Sequence, residues 1–255
     1  MEPLNSEHLL RQADQYLQQL PALLPALPPH QPVQGAAIAR FIDHTILKPE
    51  ATPAQIEQLC LEALTHSFAA VCVNSLFSSL VAQILRGSTV ATCCVVGFPL
   101  GAAGTSTKMF ETSACLEAGA QEIDMVLPIG MLISGRYTHV LADIEGVVQV
   151  AHAGKAAVKV IIETALLNRR EKILACLLAE QAGADFVKTS TGFSSSGAMV
   201  EDIDLMRRMV GERMGVKASG GIRSYQDALA MLQAGANRIG TSGGVKIVQE
   251  SRQLS

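Results

Sequence analysis

Short β-branched or apolar runs alternate with longer amphipathic stretches along most of this 255-residue chain. The eight candidate strands are Arg40–Thr45, Ala69–Val73, Thr89–Gly97, Glu122–Leu127, Ala157–Glu163, Phe186–Thr189, Val216–Ser219 and Arg238–Gly240. The helical patterns between them include Pro53–Thr65, Ser106–Glu117, Arg169–Ala182 and Tyr225–Gln233. Parallel strands need helical crossovers of this kind, so the order predicts an α/β fold with a parallel sheet.

The tripeptide Ala-Gly-Ala occurs three times, each time between a helical pattern and a candidate strand. The copies are Ala118–Ala120, Ala182–Ala184 and Ala234–Ala236. Each glycine fits the position just past a helix, where a positive φ costs glycine little. The fourth residue after each copy is Asp124, Lys188 or Gly240. A carboxylate and an amine therefore occupy equivalent positions near the carboxyl ends of two strands.

Eight strand–helix units favour a single (β/α)8 TIM barrel over a doubly wound sheet, and a barrel carries its chemistry at the carboxyl ends of its strands. Most of the ten prolines lie in the first 34 residues. That segment contains a predicted helix, Ser6–Leu20, followed by a Pro-rich linker. We expect residues 1–35 to form a short N-terminal helical extension and residues 36–255 to form the barrel domain.

The composition excludes several classes of protein. Hydrophobic residues make up 49% of the chain and charged residues 17%, which is typical of a chain with a large core rather than a disordered one. The chain has 20 Lys+Arg and 23 Asp+Glu. Because these charges nearly balance, we expect no nucleic-acid partner. No apolar run could span a bilayer, and the N-terminus lacks a secretory pattern. We therefore expect no membrane partner and a cytoplasmic location.

The cysteines and histidines give no sign of a metal site. The six cysteines form no CxxC pair, and the six histidines are scattered, so neither zinc nor a disulfide framework is indicated. We expect reduced thiols, no metal and no cofactor. The low charge leaves room for an apolar subunit contact, so a homo-oligomer is expected, with a dimer favoured.

Three lysines on neighbouring candidate strands are the main candidates for chemistry. Lys188 alone is more typical of a side chain that snorkels from a strand end. If Lys159 and Lys217 enter the same barrel, mutual repulsion and burial can leave one amine a neutral nucleophile near neutral pH. Asp124 is best placed to meet that amine, as an ion-pair partner or in proton transfer. For Lys159, an ion pair with Glu163 on the same strand face is equally open.

Other residues are candidates for substrate contacts. Asp43 and Thr45 come off the first strand and could contact substrate hydroxyls, although capping and turn roles fit equally well. We interpret Cys72 as a small buried hydrophobic residue that could line the pocket. Lys159 and Thr191 complete the candidate substrate-binding set.

Three late loops contain glycines and hydroxyls suited to a phosphate: 189–192, 219–221 and 241–244. Glycine permits close backbone approach, and a following helix N-terminus offers free N–H groups. The last two loops follow the seventh and eighth strands, where many barrels bind phosphate, although two tight turns would look the same. The candidate phosphate-binding residues are Gly192, Gly220, Gly221, Ser242 and Gly243.

Six motifs together closely resemble the deoxyribose-phosphate aldolase family, metal-independent class I aldolases on a (β/α)8 barrel. They are Asp-His-Thr at 43–45, Glu-Ile-Asp-Met-Val at 122–126, Val-Lys-Val-Ile-Ile-Glu-Thr at 158–164, Phe-Val-Lys-Thr-Ser-Thr-Gly-Phe at 186–193, Val-Lys-Ala-Ser-Gly-Gly-Ile-Arg at 216–223 and Arg-Ile-Gly-Thr-Ser at 238–242. The resemblance runs from about Ala39 to Val248. The N-terminal extension lies outside it, and Gly243 stands where family members often carry a second serine.

The resemblance implies a reaction and three catalytic residues. Lys188 would form the Schiff base, Asp124 would donate and accept protons, and Lys217 would favour the neutral amine. The implied reaction is reversible cleavage of 2-deoxy-D-ribose 5-phosphate into D-glyceraldehyde 3-phosphate and acetaldehyde. From the residues alone, two other functions remain open. One is a phosphate-binding barrel isomerase or synthase that uses Lys188 only electrostatically, and the other is a non-catalytic sugar-phosphate sensor.

Overall fold

Eight parallel strands close into a barrel in chain order. The computed structural model describes residues 6–20 and 35–253. The strands are β1 Ile42–Ile46, β2 Ala70–Val73, β3 Ala91–Val96, β4 Glu122–Val126, β5 Ala157–Ile161, β6 Phe186–Lys188, β7 Gly215–Ser219 and β8 Arg238–Thr241. The barrel closes where β8 pairs with β1, with Asp43 opposite Gly240. The predicted (β/α)8 barrel and all eight of its strands are confirmed.

The helices surround the barrel and connect its strands. They are α1 Ser6–Gln19, α2 Pro53–His66, α3 Ser78–Ile84, α4 Thr105–Glu117, α5 Ile129–Ile133, α6 Tyr137–Ala153, α7 Arg169–Gln181, α8 Val200–Val210, α9 Tyr225–Gln233 and α10 Gly244–Gln253. Short 3₁₀ helices span Gly35–Phe41, Ser75–Phe77 and Thr164–Leu166. The main core lies between this helical layer and the outer faces of the strands. None of the helices in the described ranges is long and apolar enough to cross a membrane.

Each end of the eight strands lies within two residues of its predicted bound. The differences at the start of β1 and at the end of β5 arise because the backbone leaves the extended conformation. The chain before β1 winds into the 3₁₀ helix that ends at Phe41, so the strand begins at Ile42 rather than at Arg40. β5 ends at Ile161 because Glu163 adopts a left-handed conformation, with φ 55° and ψ 66°. The predicted Pro-rich linker falls mainly within residues 21–34, outside the described residues.

The three Ala-Gly-Ala copies end α4, α7 and α9 in the same way. The φ angles of their glycines are 100°, 79° and 111° for Gly119, Gly183 and Gly235. In each copy the second alanine donates its N–H to a carbonyl five residues earlier, as Ala120 does to Cys115 at 2.9 Å. These bonds define a Schellman motif, which satisfies the last carbonyls of the helix.

The residue after each repeat ties the new strand to the preceding one. A side-chain oxygen there accepts the N–H of a residue early in that strand. The pairs are Gln121 with Thr92, Asp185 with Val158 and Asn237 with Val216, at 3.2, 2.8 and 2.8 Å. Each repeat thus fixes both the end of its helix and the register of the strand that follows. As a result, the second residues after the three repeats lie at one level of the barrel, and the fourth residues lie at another.

The helix predicted near the N-terminus is present as α1, which packs on the outside of α7. Leu9 and Ala13 are buried in that contact. At its edge Asp14 forms an ion pair with Arg170 at 2.6 Å. The helix therefore covers part of the barrel's outer helical layer.

Candidate active site

Three lysine ammonium groups meet on the carboxylate of Asp124 inside the barrel. The strand register brings the four together, since Lys159 lies opposite Asp124 and Lys217 lies opposite Lys188. Lys159 Nζ donates to Asp124 Oδ1 at 2.7 Å. Lys188 Nζ and Lys217 Nζ both donate to Oδ2 at 2.7 Å. The predicted group of lysines around Asp124 therefore exists as one hydrogen-bonded cluster.

Lys188 alone in this cluster has exposed side-chain surface. Its side chain is 3% exposed, whereas those of Asp124, Lys159 and Lys217 are fully buried. Lys188 is the last residue of β6, at the carboxyl end of the barrel. A molecule that enters from the mouth of the barrel would therefore reach Lys188 first.

A second layer of charges lies nearer the amino ends of the strands. Asp43 contacts Lys217 at 2.5 Å and Arg238 at 2.6 Å. Glu122 contacts Lys159 at 2.6 Å and Arg238 at 2.7 Å. With the first layer, four basic side chains face three carboxylates, so the cluster has one positive charge more than it can pair. Buried charge of one sign is costly, and the surplus favours release of a proton from one amine.

The electrostatics fix which groups of the cluster stay charged. Burial raises the pKa of Asp124, but the nearby ammonium groups outweigh it and hold that pKa well below its usual range. Burial also lowers the pKa of Lys159 and Lys217, yet the combined charges of the acidic groups around each of them, Asp124 foremost, outweigh it. Both pKa values therefore lie above the usual range for lysine. Asp124 is thus a carboxylate, and Lys159 and Lys217 keep their protons.

Two thiols complete the first layer. Cys93 Sγ lies 3.2 Å from Asp124 Oδ1, and Cys72 Sγ lies 3.9 Å from Oδ2. Burial raises the pKa of the Cys93 thiol well above its usual range, so it donates as a neutral group. Cys72, Cys93 and Asp124 place three ligand-type atoms within 4.8 Å of one another. The ammonium groups on both Asp124 oxygens, however, occupy the side from which a cation would bind.

Of the two roles left open for Lys159, the ion pair with Glu163 is not formed in the structure. Lys159 points to Asp124 and Glu122 instead. Glu163 leaves the strand direction through its left-handed backbone, and its Oε2 accepts from the N–H and the hydroxyl of Thr191 at 3.1 and 2.5 Å. The pairing failed because the prediction assumed that β5 continued to Glu163.

The substrate contact expected of Asp43 is not supported by its geometry. Asp43 is fully buried below the lysine layer, where Lys217 and Arg238 occupy its oxygens. Its position suits it to hold Lys217 in place rather than to meet a ligand. Thr45 is half-buried, and its hydroxyl donates to the Asp43 carbonyl at 2.8 Å.

The loop after β6 differs from the loop expected for a phosphate. No helix follows it closely, since α8 begins only at Val200. The N–H and hydroxyl of Thr191 are donated to Glu163, so neither is free for a ligand. Gly192 is exposed, with φ 86°. The expected role of Thr191 as a free hydroxyl donor is thus corrected, because the fold already uses that group.

The loops after β7 and β8 lie at the mouth of the barrel. Gly220 and Gly221 have φ values of 88° and 80°, conformations open to glycine at little cost. Ser242 is exposed, and α10 begins at Gly244. The N–H of Gly243 donates to Thr241 Oγ1 at 2.9 Å. An anion here would therefore meet the first-turn N–H groups of α10 rather than the N–H of Gly243.

Sequence reasoning missed the roles of Glu122 and Arg238, and it named Glu163 only as a possible partner of Lys159. The first two stand two residues after an Ala-Gly-Ala copy, one pleat below Asp124 and Gly240. Side chains two residues apart on a strand point to the same side of the sheet, so Glu122 and Arg238 could have been predicted to enter the barrel with Asp124 and Gly240. Glu163 had no such signal, because its role depends on a backbone conformation unusual for glutamate.

Known proteins resemble this chain in both sequence and structure. A family model described as DeoC/LacD family aldolase matches residues 37–250. A Clostridium tetani protein named deoxyribose-phosphate aldolase is 58% identical over 215 residues, which cover 84% of this chain and 99% of the relative.

Two solved structures cover 99% of this chain and 100% of their own. One, from Coccidioides immitis and assigned as a deoxyribose-phosphate aldolase, has a TM-score of 0.92 at 41% identity. The other, from Aeropyrum pernix, is described as a tetrameric deoxyribose phosphate aldolase and has a TM-score of 0.81 at 32% identity. Since the family model and the relatives match most of the chain, this protein belongs to the DeoC/LacD aldolase family.

Proposed function

We propose that this protein is a class I aldolase that reversibly cleaves 2-deoxy-D-ribose 5-phosphate into D-glyceraldehyde 3-phosphate and acetaldehyde. The observation that carries the proposal is the contact of Lys188 with Asp124 in a cluster that holds one unpaired positive charge. The relatives named deoxyribose-phosphate aldolase support the choice of substrate. The chemistry needs no metal, because an iminium ion serves as the electron sink.

Imine formation begins at Lys188. Its neutral amine attacks the substrate aldehyde carbon, C1, and a proton moves from the nitrogen to the new hydroxyl through Asp124. A second proton, delivered through Asp124, converts that hydroxyl into the leaving water, and loss of the water leaves the iminium. Lys217 Nζ lies 2.7 Å from the Asp124 oxygen that also contacts Lys188, so protons can pass among the three groups.

Cleavage then breaks the bond between C2 and C3. Asp124, again a carboxylate, takes the C3 hydroxyl proton as the bonding electrons move into the iminium. D-glyceraldehyde 3-phosphate leaves, and an enamine remains on Lys188. Proton return to C2 from Asp124 and hydrolysis of the imine release acetaldehyde and the free amine. Lys159 acts as a positioning residue by holding the other oxygen of Asp124.

The phosphate of the substrate would lie over the loops after β7 and β8. Gly220 and Gly221 lack side chains that would block close approach to the backbone. The 10-residue helix α10 begins just past Ser242, so its N-terminus and the serine hydroxyl can share the anion. This placement puts the aldehyde end of the substrate toward Lys188.

The protein's setting is part of the same proposal. We infer that it works in the cytoplasm as a homo-oligomer, with a dimer as the smallest unit, and that residues 36–255 form the catalytic domain. The six cysteines are free and buried, as expected in a reducing compartment. The tetrameric Aeropyrum pernix relative supports self-association.

A coupled assay tests the proposed activity. Acetaldehyde release from 2-deoxy-D-ribose 5-phosphate would be followed with an alcohol dehydrogenase and NADH. We expect turnover by the wild-type protein and none above background by Lys188→Met. Turnover by Lys188→Met, or its absence in a folded wild-type protein, would contradict the proposal.

A further inference from the structure

Glu163 is a buried acid that contacts no cation among residues 6–20 and 35–253. Its side chain lies at the carboxyl end of β5 and is 2% exposed. Its Oε2 accepts only the two neutral donors of Thr191, and its Oε1 has no hydrogen-bond partner among the described residues. Its backbone is left-handed. A fold keeps such costly features where surrounding contacts require them, and they cluster at functional sites.

The contact with Thr191 fixes one end of the loop after β6. The Thr191 hydroxyl donates to Glu163 and accepts the N–H of Phe193 at 3.1 Å. The other end is held at β7, because Ala198 N–H donates to the Gly220 carbonyl at 3.0 Å. At Gly197 a Cβ would lie 2.2 Å from that carbonyl oxygen, so only glycine fits. The segment between these anchors carries Phe193.

Phe193 reaches across the barrel mouth to Phe98. The two rings meet edge to face with centroids 5.4 Å apart. Phe98 follows β3 and packs on the small apolar cluster inside the barrel. The backbone there is fixed, since Gly97 N–H donates to Glu111 at 2.9 Å. Two strands separate β3 from β6 on the nearer side of the barrel, so the contact bridges the mouth through which Lys188 is reached.

We propose that Glu163 is a positioning residue: it holds Thr191 so that Phe193 meets Phe98 and closes the mouth of the barrel over Lys188. In this arrangement the two rings limit the exposure of Lys188, whose side chain is 3% exposed. Substrate enters when the rings separate, and their return shields the iminium from bulk water. This inference rests on the proposed function, because it assigns the closure to the imine-forming lysine.

The test measures how fast Lys188 can be reached. Wild-type protein and variants are treated with acetaldehyde and cyanoborohydride, and peptide mapping follows alkylation of Lys188. The exposed Lys246 serves as an internal standard. We expect Glu163→Ala, Thr191→Val and Phe193→Ala each to raise the Lys188-to-Lys246 labelling ratio by roughly 2- to 12-fold, the range that loss of one aromatic contact implies.

Conservative variants separate positioning from general damage. Glu163→Gln keeps an acceptor for Thr191, and Thr191→Ser keeps the hydroxyl, so both should label at the wild-type ratio. The double variant Thr191→Val/Phe193→Ala should label no faster than Phe193→Ala, because both changes act on one contact. If Glu163→Ala does not fold, Thr191→Val carries the same comparison. A wild-type ratio in Thr191→Val, or additive effects in the double variant, would overturn the proposal.

Amide exchange distinguishes this proposal from the proposed function. Absence of Lys188 labelling in every variant, with Lys246 labelled normally, would contradict imine chemistry at Lys188. The positioning role would then be judged from Phe193, whose N–H bonds to the Thr191 hydroxyl. Faster exchange at Phe193 in Glu163→Ala, restored in Glu163→Gln, would support it. Unchanged exchange in Glu163→Ala would overturn it.

Discussion

Asp124 is the residue through which the three lysines of the site communicate. Its Oδ2 is shared by Lys188 and Lys217, while its Oδ1 is held by Lys159. A proton can therefore move between Lys188 and Lys217 through a single oxygen. A general acid–base group in such a position contributes about 10²- to 10⁴-fold to a rate.

Replacement of Asp124 by Asn tests that role at nearly constant shape. The amide cannot carry the proton, so we expect Asp124→Asn to lower kcat for 2-deoxy-D-ribose 5-phosphate cleavage by about 10²- to 10⁴-fold. The control is Asp202→Asn, since Asp202 pairs with Lys172 at 2.6 Å on the outer helices. Its kcat should match wild type. A folded Asp124→Asn protein within a few-fold of wild type would contradict the role.

Single residues also show where sequence reasoning stopped. The meeting of Asp124, Lys188 and Lys217 was predictable, because alternation along neighbouring strands fixes which side chains enter a barrel. Glu163 was assigned to the wrong partner, because one left-handed residue redirected its side chain to Thr191. Asp43 was predicted to reach the substrate, but it lies below the lysines inside the barrel. How far along the barrel axis a side chain lies depends on the stagger of all eight strands.

The three Ala-Gly-Ala elements fix both fold and site. Each ends a helix with a Schellman motif and starts a strand whose fourth following residue is Asp124, Lys188 or Gly240. Gly240 has a use of its own, since a Cβ there would lie 2.4 Å from Ser219 Oγ and 3.1 Å from Lys217 Cε. The repeat therefore provides Asp124 and Lys188, the proposed acid–base group and nucleophile, and the space beside Lys217.

Substitutions of the repeat glycines should destabilise the fold by amounts that depend on how closely the new Cβ approaches its neighbours. Gly183→Ala forces alanine into φ 79° with no closer neighbour than Val148 at 3.9 Å, so we expect a loss of about 1–2 kcal/mol in the free energy of unfolding. Gly119→Ala should lose more, because its Cβ would also lie 2.7 Å from that of Ala82. Urea denaturation measures both.

The matched control is Gly130→Ala inside α5, where a Cβ would meet nothing within 4 Å. Because alanine favours a helix over glycine, this variant should be as stable as wild type or gain about 0.5–1 kcal/mol. Equal stability of Gly183→Ala and wild type would show that the repeat glycines do not act through their positive φ.

At the scale of the whole molecule, the net charge of −3 conceals how charge is arranged. Lys159, Lys188, Lys217 and Arg238 lie together inside the barrel with Asp43, Glu122 and Asp124. The composition predicted a large core and no polyanion partner, but it could not predict this cluster. Only the register of the closed barrel shows that positive charge is in excess there.

The N-terminal helix is a whole-molecule feature that the site does not use. The Clostridium tetani relative aligns over 99% of its own length with 84% of this chain, so it is too short to carry such an extension as well. We expect deletion of residues 1–34 to leave kcat unchanged. Loss of the buried Leu9 contact should lower the free energy of unfolding by about 1.5–3 kcal/mol.

Thermal unfolding and the coupled assay together test this expectation. Asp14→Ala is the control for the truncation, because it removes only the solvent-exposed ion pair with Arg170 and should leave the unfolding temperature unchanged. A truncated protein that fails to fold, or that folds without activity, would show that the extension is part of the catalytic domain.

Trapping of the covalent intermediate tests the central claim most directly. Wild-type protein would be mixed with 2-deoxy-D-ribose 5-phosphate during turnover, reduced with borohydride and digested for peptide mass mapping. The geometry at Asp124 predicts a reduced adduct on Lys188 and none on Lys159 or Lys217, which keep their protons. Turnover without an adduct on Lys188 would contradict the claim and favour a barrel enzyme that uses this lysine only for its charge.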